Sequence, residues 1–251
     1  MSPAGQSSGP VALVTGSRRG IGAAVAERLA RDGLRVVRSG RADDAELAAA
    51  GAYRAADLRD ADAPAGLVDW VVATHGRLDV LVNNAAVELE GTVEHTTAAE
   101  WDEILAVNVR APALLARAAI PRMRAAGGGV ILNIASIDGY WAEPGVAAYC
   151  ASKGALIALS RAIAVDHGAD GIRCCCICPS HVETDMLDQY YRSRDDPQAA
   201  RAEARAAHPL QRIATPAEVA ELAAFLAGDS AAFLTGHAYV IDGGMTAGRP
   251  W

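Results

Sequence analysis

The apolar positions of the chain follow two alternating patterns. Short runs of β-branched and other apolar residues alternate with longer stretches in which apolar residues recur every three or four positions. The short runs predict seven strands, at residues 11–15, 35–39, 53–57, 78–83, 129–136, 172–179 and 238–242. The longer stretches, such as 21–32 and 147–168, predict helices. This alternation is typical of an α/β fold, with a doubly wound parallel sheet of about seven strands and helices on both faces.

The same pattern indicates how the chain is divided. Residues 1–9 (MSPAGQSSG) precede the first predicted strand, and we expect them to form a flexible tail. Residues 10–251 contain no linker, repeat or low-complexity block, which predicts a single domain. Residues 185–212 are polar, charged and rich in Arg and Ala, and they interrupt the alternation. Because long insertions at the end of a sheet usually cover a site, we expect this segment to cover the substrate.

Composition and charge exclude several classes of partner. The 251-residue chain is 51% hydrophobic and carries a formal net charge of −7, which predicts a globular protein that binds neither nucleic acid nor an anionic membrane. We expect no membrane span, since no apolar run approaches the roughly 20 residues required. The N-terminus has no signal-peptide pattern, and the five cysteines are clustered rather than spread. Both features favour a cytoplasmic, reducing location.

A glycine-rich segment follows the first predicted strand. In VALVTGSRRGIG the spacing is T-G-x-x-x-G-x-G, with Gly16, Gly20 and Gly22 at the start of the next helix. Glycines allow a tight turn and close approach of a pyrophosphate, and a helix N-terminus offers unpaired N–H groups and a positive dipole end. The strand–loop–helix context predicts dinucleotide binding by a Rossmann-type sheet.

The end of the second predicted strand bears on the choice of dinucleotide. An acid there would bind the ribose hydroxyls of NAD, but this strand ends in Ser-Gly-Arg, with Gly40 followed by Arg41. Arg41, or Arg18 and Arg19 of the glycine loop, could bind a 2′-phosphate. The acids at 43–44 lie too far along the loop after the strand to bind the ribose hydroxyls. The pattern favours NADP(H) and leaves NAD(H) open; the alternative is that these arginines are only solvated.

A single lysine stands out among the 23 basic residues, because every other one is arginine. Lys153 lies four positions after Tyr149, so the two side chains are adjacent on one face of a predicted helix. A phenol has a pKa near 10, and a nearby ammonium favours the phenolate and lowers that value. The pair is therefore a candidate acid/base, although a surface Tyr–Lys pair would have the same spacing.

Several motifs in this order give the chain a strong resemblance to the short-chain dehydrogenase/reductase family. They are T-G-x-x-x-G-I-G at 15–22, Asp57-Leu58, N-N-A at 83–85, Asn108 in AVNV, Ser136, Y-x-x-x-K at 149–153, and Pro179 with Val182 and Thr184. The resemblance covers about residues 10–245 and points to its compact single-domain branch. Within that branch the chain resembles 3-oxoacyl-carrier-protein reductase-like and polyol or cyclic alcohol dehydrogenase-like members.

The resemblance implies roles for four catalytic residues. Tyr149 would be the general acid in reduction and the base in oxidation, and Ser136 would hydrogen-bond the substrate oxygen. Lys153 would hold the nicotinamide ribose and lower the pKa of Tyr149. Asn108 would anchor water in a proton relay from Lys153 to bulk solvent. A hydride would pass between the nicotinamide and the substrate carbon, and no metal is needed.

The resemblance also implies a cofactor-binding set. Asp57 and the Leu58 backbone would bind adenine, Val182 would bond the carboxamide through its backbone, and Thr184 would lie near the pyrophosphate. The full expected set is Gly16, Ser17, Arg18, Arg19, Gly20, Ile21, Gly22, Gly40, Arg41, Asp57, Leu58, Asn84, Ala85, Tyr149, Lys153, Pro179, Val182 and Thr184.

Three positions depart from the family pattern. Ala86 replaces the glycine of N-N-A-G, Ser180 follows Pro179 where a glycine is usual, and Gly40 stands where NAD-binding members often carry an acid. Serine adopts positive φ poorly, so the backbone at Ser180 is expected to differ slightly. These departures affect local geometry and cofactor choice rather than the reaction class.

The substrate is expected to be a small-molecule ketone or alcohol that is polar or cyclic. The candidate substrate residues are Ser136, Asp138, Trp141, Glu143, His181 and Tyr190, although His181 could be an ordinary loop residue. One alternative is a 3-oxoacyl thioester reductase that would use Arg122, Arg124, Arg192 and Arg194 to bind an acidic carrier protein. A second, from another class, is a non-catalytic dinucleotide-binding sensor.

The chain is expected to form an oligomer. The helices predicted around 98–126 and 147–168 would each expose an apolar face in a monomer, and the resemblance implies a homotetramer or a homodimer.

The run CCCIC at 174–178 lies on a predicted strand, where Cys174, Cys176 and Cys178 share one face and Cys175 lies on the other. Buried packing is the favoured interpretation, with a metal or redox role as the alternative.

Overall fold

Seven parallel strands form one sheet in the computed structural model, which describes residues 9–248. The spatial order is β3-β2-β1-β4-β5-β6-β7. The strands are β1 (Val11–Thr15), β2 (Arg35–Gly40), β3 (Tyr53–Ala55), β4 (Val80–Asn83), β5 (Gly129–Ile134), β6 (Ile172–Pro179) and β7 (Ala238–Ile241). The predicted doubly wound α/β fold is confirmed, while residues 1–8 of the tail expected at 1–9 lie outside the described residues.

Nine α-helices connect or follow these strands in the described part of the chain. They are α1 (Gly20–Arg31), α2 (Ala45–Ala49), α3 (Ala63–His75), α4 (Ala98–Leu105), α5 (Ala111–Ala125), α6 (Ala147–His167), α7 (Asp185–Arg192), α8 (Pro197–Ala206) and α9 (Pro216–Ala227). Local sequence defines several of their starts. Thr97 and Thr215 each form a capping box with the glutamate three residues later, which satisfies backbone N–H groups at the helix ends.

The sheet is buried on both faces. Leu13, Leu81 and Ile131 pack on one face in a cluster with residues of α3, α5 and α6. The neighbouring positions Val14 and Val82 pack on the opposite face against α1 and α9. Because the inner strands β1, β4, β5 and β6 are parallel and covered on both sides, they read as nearly continuous apolar runs. The strand order reverses between β1 and β4, and open α/β sheets bind ligands at the carboxyl ends beside such a reversal.

Two helical stretches, Ala98–Ala125 and Ala147–Asp170, are long and apolar enough to cross a membrane by length and composition alone. The expectation that no apolar stretch approaches that length was therefore too strict. These stretches bury 56% and 44% of their most apolar windows inside the fold. Helices that pack against a central sheet need an apolar face of their own, so this composition is also that of core helices.

The polar segment at 185–212 contains α7 and α8 and has a small apolar cluster of its own. Tyr191, Ala204 and Ile213 are buried in that cluster. A parallel bridge between Val182 and Ala214 closes the base of the segment. The segment therefore leaves the sheet after β6 and returns to the same end of it before α9.

The cysteine-rich strand is β6, at the interior of the sheet. Cys174, Cys176 and Cys178 lie on the face covered by α5 and α6, and Cys175 lies on the opposite face with Ile177. All five of these side chains are fully buried. Within residues 9–248, no group of three or more His, Cys, Asp or Glu side chains is arranged to hold a metal ion. The alternation of faces follows the two-residue period of a strand.

Candidate active site

A cleft of about 840 Å³ runs along the carboxyl ends of β1, β2, β4, β5 and β6. It brings together most of the predicted site residues. The predicted residues that line it are Gly16, Arg18, Arg19, Gly20, Ile21, Gly40, Arg41, Asp57, Leu58, Asn84, Ala85, Ser136, Asp138, Glu143, Tyr149, Lys153, Pro179, His181, Val182, Thr184 and Tyr190.

Four predicted site residues do not line this cleft. Ser17 is fully buried beneath it, where its hydroxyl donates to Val14 O at 2.7 Å and its backbone pairs with β2. Gly22 faces Asn84, and Asn108 lies below the surface. Trp141 is not among the lining residues, and 52% of its surface is exposed. The prediction that Trp141 lines the substrate pocket therefore differs from the structure.

The loop between β1 and α1 has the geometry of a phosphate cradle. Gly16 and Gly20 adopt φ of +63° and +57°, which side-chain-bearing residues rarely do. Arg19 occupies the N-cap of α1 and makes no side-chain cap, so the first N–H groups of α1 face the cleft without one. The Asn84 Nδ2 atom donates to Thr15 O at 2.9 Å and to Gly16 O at 3.0 Å, which holds the loop against β4. This cradle fits the pyrophosphate of a dinucleotide.

The far end of the cleft is basic and tightly packed at Gly40. A Cβ at Gly40 would meet the Tyr53 hydroxyl at 2.8 Å and the Arg18 side chain at 3.1 Å. Arg18 and Arg41 line this end, and Asp44 lies 3.9 Å from Arg18. The Asp57 carboxylate is held by Arg59, whose hydrogen bond is the main reason that the pKa of Asp57 falls to about 2. Arg59 also lines the cleft and was not predicted.

Lys153 is buried on α6 behind the end of β5. Its Nζ atom donates to Ile134 O at 2.9 Å and lies 5.2 Å from the centroid of the Tyr149 ring. Burial lowers the pKa of Lys153 to about 8. Helical spacing thus places the two side chains on one face, as predicted, and both reach the cleft.

The pKa of Tyr149 differs from expectation. It is raised well above its ordinary value, because burial disfavours the phenolate and the nearby Glu88 and Asp138 carboxylates repel it. A hydrogen bond with Ser136 acts in the opposite direction but is weaker. The expectation that Lys153 lowers this pKa is not met in the protein chain alone, where burial and neighbouring anions dominate.

Ser136 is held by a reciprocal contact with Asp138. The Ser136 hydroxyl donates to Asp138 Oδ2 at 2.9 Å, and the Asp138 backbone N–H donates to Ser136 Oγ at 3.1 Å. Ser136 caps the 3₁₀ turn that follows β5, and its hydroxyl also lies 3.4 Å from Pro179 O. Asp138 was predicted to touch substrate; the structure also gives it the role of orienting Ser136.

Asn108 lies on a π-helical turn, Ala106–Arg110, between α4 and α5. Its Nδ2 atom donates to Val87 O at 2.8 Å and to Ser152 Oγ at 3.0 Å, and its Oδ1 atom accepts from Val87 N at 2.9 Å. Ser152 in turn donates to Tyr149 O at 2.7 Å. Asn108 therefore joins the loop after β4 to the helix that carries Tyr149. π-Helical turns occur frequently at functional sites.

The backbone after β6 forms the other wall. Pro179 ends β6, and the bridge to Ala214 uses His181 O and Glu183 N rather than the amide groups of Val182. Thr184 caps α7, where its hydroxyl accepts from Leu187 N at 3.3 Å, and its methyl faces Gly20. Val182 and Thr184 thus lie opposite the phosphate loop.

Further residues also line the cleft. They are Ser39, Ala42, Asp44, Ala56, Arg59, Ala86, Val87, Glu88, Glu103, Val107, Ile134, Ala135, Ile137, Ser180, Asp185, Met186, Leu187 and Met245. Glu88 is the most informative, because burial and the Glu143 and Asp138 carboxylates raise its pKa to about 7.

Comparisons with known proteins agree with this geometry. A family model described as "Enoyl-(Acyl carrier protein) reductase" matches residues 16–246. The chain is 37% identical over 246 residues to 2-(S)-hydroxypropyl-CoM dehydrogenase 3 of Xanthobacter autotrophicus, covering 94% of this chain and 96% of that protein. It is also 37% identical to meso-2,3-butanediol dehydrogenase of Serratia marcescens, covering 96% of each chain.

A solved structure has the same fold. The aldohexose dehydrogenase of Thermoplasma acidophilum superposes with a TM-score of 0.90 at 32% identity, covering 97% of this chain and 96% of that one. Relatives above 30% identity over nearly the full length establish common descent. Together with the glycine loop and the Ser136, Tyr149 and Lys153 arrangement, they show that the chain belongs to the short-chain dehydrogenase/reductase family of oxidoreductases, which use a nicotinamide dinucleotide.

Proposed function

We propose that this protein interconverts a polar or cyclic secondary alcohol and its ketone, with NADP(H) as the preferred dinucleotide. The observation that carries the proposal is the placement of Ser136, Tyr149 and Lys153 together on one cleft that continues into a phosphate cradle. The oxidoreductase class follows from family membership. The substrate class and the preference for NADP(H) are our inferences.

The residues divide the chemistry between them. When bound, the dinucleotide supplies the nicotinamide carbon that donates or accepts the hydride. Tyr149 gives its phenolic proton to the oxygen in ketone reduction and accepts the proton in alcohol oxidation. Ser136 donates a hydrogen bond to the same oxygen as negative charge develops on it. For this, the Ser136 hydroxyl exchanges its bond to Asp138 for one to the substrate.

Lys153 and Asn108 support Tyr149. Lys153 lies beside the phenol and on the cleft wall, where its ammonium would bond the ribose of the dinucleotide and stabilise the phenolate electrostatically. Asn108 fixes the loop after β4 relative to α6 through Val87 and Ser152. A proton relay through Asn108 is part of this proposal and rests on its buried amide beside α6.

The preference for NADP(H) is supported by charge at the adenine-ribose end. Arg18 and Arg41 line the cleft beside Gly40, where Tyr53 and Arg18 leave no room for a larger side chain at the end of β2. A 2′-phosphate would be attracted by two guanidinium groups, whereas the ribose hydroxyls of NAD would find no carboxylate at the end of β2. Asp44 lies near Arg18 and opposes this preference in part.

The choice of a small polar substrate draws on the relatives and on the cleft. The names of the relatives refer to hydroxypropyl-CoM, butanediol and aldohexose, which all carry secondary alcohols. The alternative of a carrier-protein-bound 3-oxoacyl thioester is less well supported. Of the four arginines that it would use, Arg122, Arg124 and Arg194 are already paired with Asp69, Asp170 and Glu90, and Arg192 is not paired within the described residues.

We also propose that the protein is cytoplasmic and forms a homotetramer or a homodimer. The thiols of all five cysteines are unpaired, which suits a reducing compartment. A shallow groove between α5 and α6 is lined by apolar residues such as Ile120 and Ile163, and a second copy would cover it. Light scattering at micromolar concentration tests the assembly, and a monomeric mass would contradict it.

A single substitution tests the catalytic proposal. Tyr149→Phe removes the proton donor, and we expect turnover of every secondary alcohol and ketone to be lost while NADPH binding, followed by fluorescence, stays nearly unchanged. Tyr239→Phe on β7 is the matched control and should retain activity. Activity retained by Tyr149→Phe would refute the acid/base role. If the native protein turns over no member of a broad carbonyl panel with either dinucleotide, the non-catalytic sensor interpretation is favoured.

A further inference from the structure

The hydroxyl of Tyr53 reaches from β3 into the loop that follows β2. Tyr53 is the first residue of β3 and is 2% exposed. Its Oη atom donates to Ala42 O at 2.5 Å. Burial raises the pKa of Tyr53, so the hydroxyl keeps its proton and remains a donor. Since Ala42 directly follows Arg41, this bond holds the turn that carries Arg41.

Gly40, the last residue of β2, lies between two side chains. A Cβ atom at this position would lie 2.8 Å from the Tyr53 hydroxyl, and 3.1 and 3.2 Å from the Cδ and Cγ atoms of Arg18. These distances are shorter than the roughly 3.5–4.0 Å of an ordinary contact between carbon atoms. The tyrosine hydroxyl and the arginine stem can therefore approach the end of β2 only because residue 40 has no side chain.

This packing excludes an acid from the end of β2. A carboxylate at that point of a Rossmann-type sheet binds the ribose hydroxyls of NAD. In this chain the first atom of such a side chain would already collide with the Tyr53 hydroxyl. The exclusion is therefore imposed by a neighbouring strand, and it does not depend on the residue type at position 40 alone.

Two guanidinium groups are left at the same end of the cleft. Arg18 and Arg41 both line it. The Nε atom of Arg18 lies 3.9 Å from Asp44, whose carboxylate also caps α2. Among residues 9–248, no acid lies within ion-pair distance of Arg41, which is exposed. An anionic group at this end would therefore find Arg41 unpaired within the described chain.

We propose that Tyr53 determines the choice of dinucleotide, by holding the turn that carries Arg41 where a 2′-phosphate binds and by excluding an acid from position 40. Tyr53 is not among the residues that line the cleft, so it is a positioning residue that acts through its neighbours. The inference rests on the proposed preference for NADP(H). A phosphate that meets a guanidinium already held in place gains a charge-assisted hydrogen bond at a smaller cost in conformational entropy.

The first test removes the hydroxyl and keeps the ring. In Tyr53→Phe the Ala42 carbonyl loses its donor, so we expect the Kd for NADPH to rise about fivefold while the Kd for NADH stays within about twofold. Fluorescence titration with each dinucleotide gives both constants, and unchanged NADH binding also shows that the variant is folded. Tyr239→Phe on β7 is the matched control and should change neither constant. Equal changes for the two dinucleotides, or no change, would overturn the inference.

A fragment of the dinucleotide isolates the phosphate contact. Adenosine 2′,5′-bisphosphate carries the 2′-phosphate without the nicotinamide, and adenosine 5′-monophosphate lacks that phosphate. Calorimetric titration of Tyr53→Phe should show weaker binding of the bisphosphate by about fivefold and unchanged binding of the monophosphate. An equal loss for both nucleotides would indicate a purely structural role for Tyr53 and would overturn the inference.

The second test introduces the acid. Gly40→Asp alone brings a Cβ atom against the Tyr53 hydroxyl, so we expect Tm to fall and NADH binding not to improve. The double variant Gly40→Asp/Tyr53→Phe removes the nearer obstacle and should bind NADH at least about threefold more tightly than the native protein. Gly66→Asp on α3, where a Cβ atom meets open space, is the control for the added charge. Equal gains of NADH affinity in the single and double variants would overturn the inference.

The native protein separates this inference from the preference on which it rests. Tighter binding of NADPH than of NADH by the native protein supports the preference for NADP(H), whatever the variants show. Equal binding of the two would overturn both the preference and the role of Tyr53. Neither result bears on the alcohol/ketone reaction, which Tyr149→Phe tests separately.

Discussion

The Oγ atom of Ser180 lies 2.8 Å from the Nε2 atom of His208, which ties the end of β6 to the end of α8. His208 is 1% exposed, and its Nδ1 atom contacts Ala204 O at 2.6 Å. Its ring also packs edge-on against His181 at a centroid distance of 5.6 Å. Ser180 is the residue that departs from the glycine usual in the family. The departure therefore connects the α7–α8 segment to the floor of the cleft.

Removing this hydroxyl should destabilise the protein. Ser180→Ala leaves the buried Nε2 atom of His208 without a partner, which costs about 1–3 kcal/mol. For a chain of this size we expect Tm to fall by about 2–4 °C for each kcal/mol. Ser193→Ala removes an exposed hydroxyl that bonds Tyr190 O and should change Tm little. Calorimetry on the three proteins makes the comparison, and equal Tm values would show that the contact does not stabilise the fold.

Alcohol oxidation should become faster as pH rises, because Tyr149 must be deprotonated to accept the proton. Glu88 and Asp138 both raise the pKa of Tyr149, so Glu88→Gln should move the oxidation profile to lower pH. The measurement is kcat/KM for a neutral diol between pH 6 and 10. A profile that stays in place would show that Glu88 does not act on Tyr149. Glu94→Gln, on the exposed loop before α4, is the control.

Glu88 should also make stability depend on pH. Its pKa rises from an ordinary 4.5 to about 7 in the folded protein, chiefly through burial. Between these values the folded state holds a proton that the unfolded state has lost, so stability falls as pH rises through this window. The loss is about 3 kcal/mol and is nearly complete about one pH unit above the folded pKa. Urea denaturation of the native protein and Glu88→Gln at pH 4.5 and 7.5 should show the native protein losing more; parallel changes would contradict the shift.

Arg41 should favour the phosphorylated dinucleotide. Arg41→Ala removes a guanidinium from the adenine-ribose end, so the Kd for NADPH should rise several-fold while that for NADH changes little. Arg31→Ala, on the exposed end of α1, is the control. Fluorescence titration with each dinucleotide gives both constants. An equal effect on NADH and NADPH would mean that Arg41 contacts the shared part of the dinucleotide.

The fold was predictable because its signals are local. The predicted strands at 11–15 and 172–179 coincide with β1 and β6, since uninterrupted apolar runs belong to buried parallel strands. The ends of some strands were harder to predict from the sequence, because tertiary contacts set them. β5 stops at Ile134 rather than at residue 136, because Ser136 caps a 3₁₀ turn. β3 stops at Ala55, where its pairing with Gly40 of β2 ends.

The candidate site was predictable in part for the same reason. The Tyr149–Lys153 pair and the glycine loop each occupy one short segment, so spacing alone indicates that their members meet. Trp141 was expected in the pocket from its place soon after Ser136, but it does not line the cleft and is half exposed. The sign of the shift in the pKa of Tyr149 was also missed. It depends on burial and on Glu88, which is 61 residues away in sequence.

By itself the sequence determined the α/β alternation, the phosphate loop and the tyrosine–lysine pair, because each is encoded within a few turns or strands. Only the tertiary structure decided that burial and the neighbouring carboxylates of Glu88 and Asp138 raise the pKa of Tyr149. It also decided that Ser180 is bonded to His208. Such contacts join segments that are distant in sequence, and they depend on how the parallel strands align and where the chain re-enters the sheet.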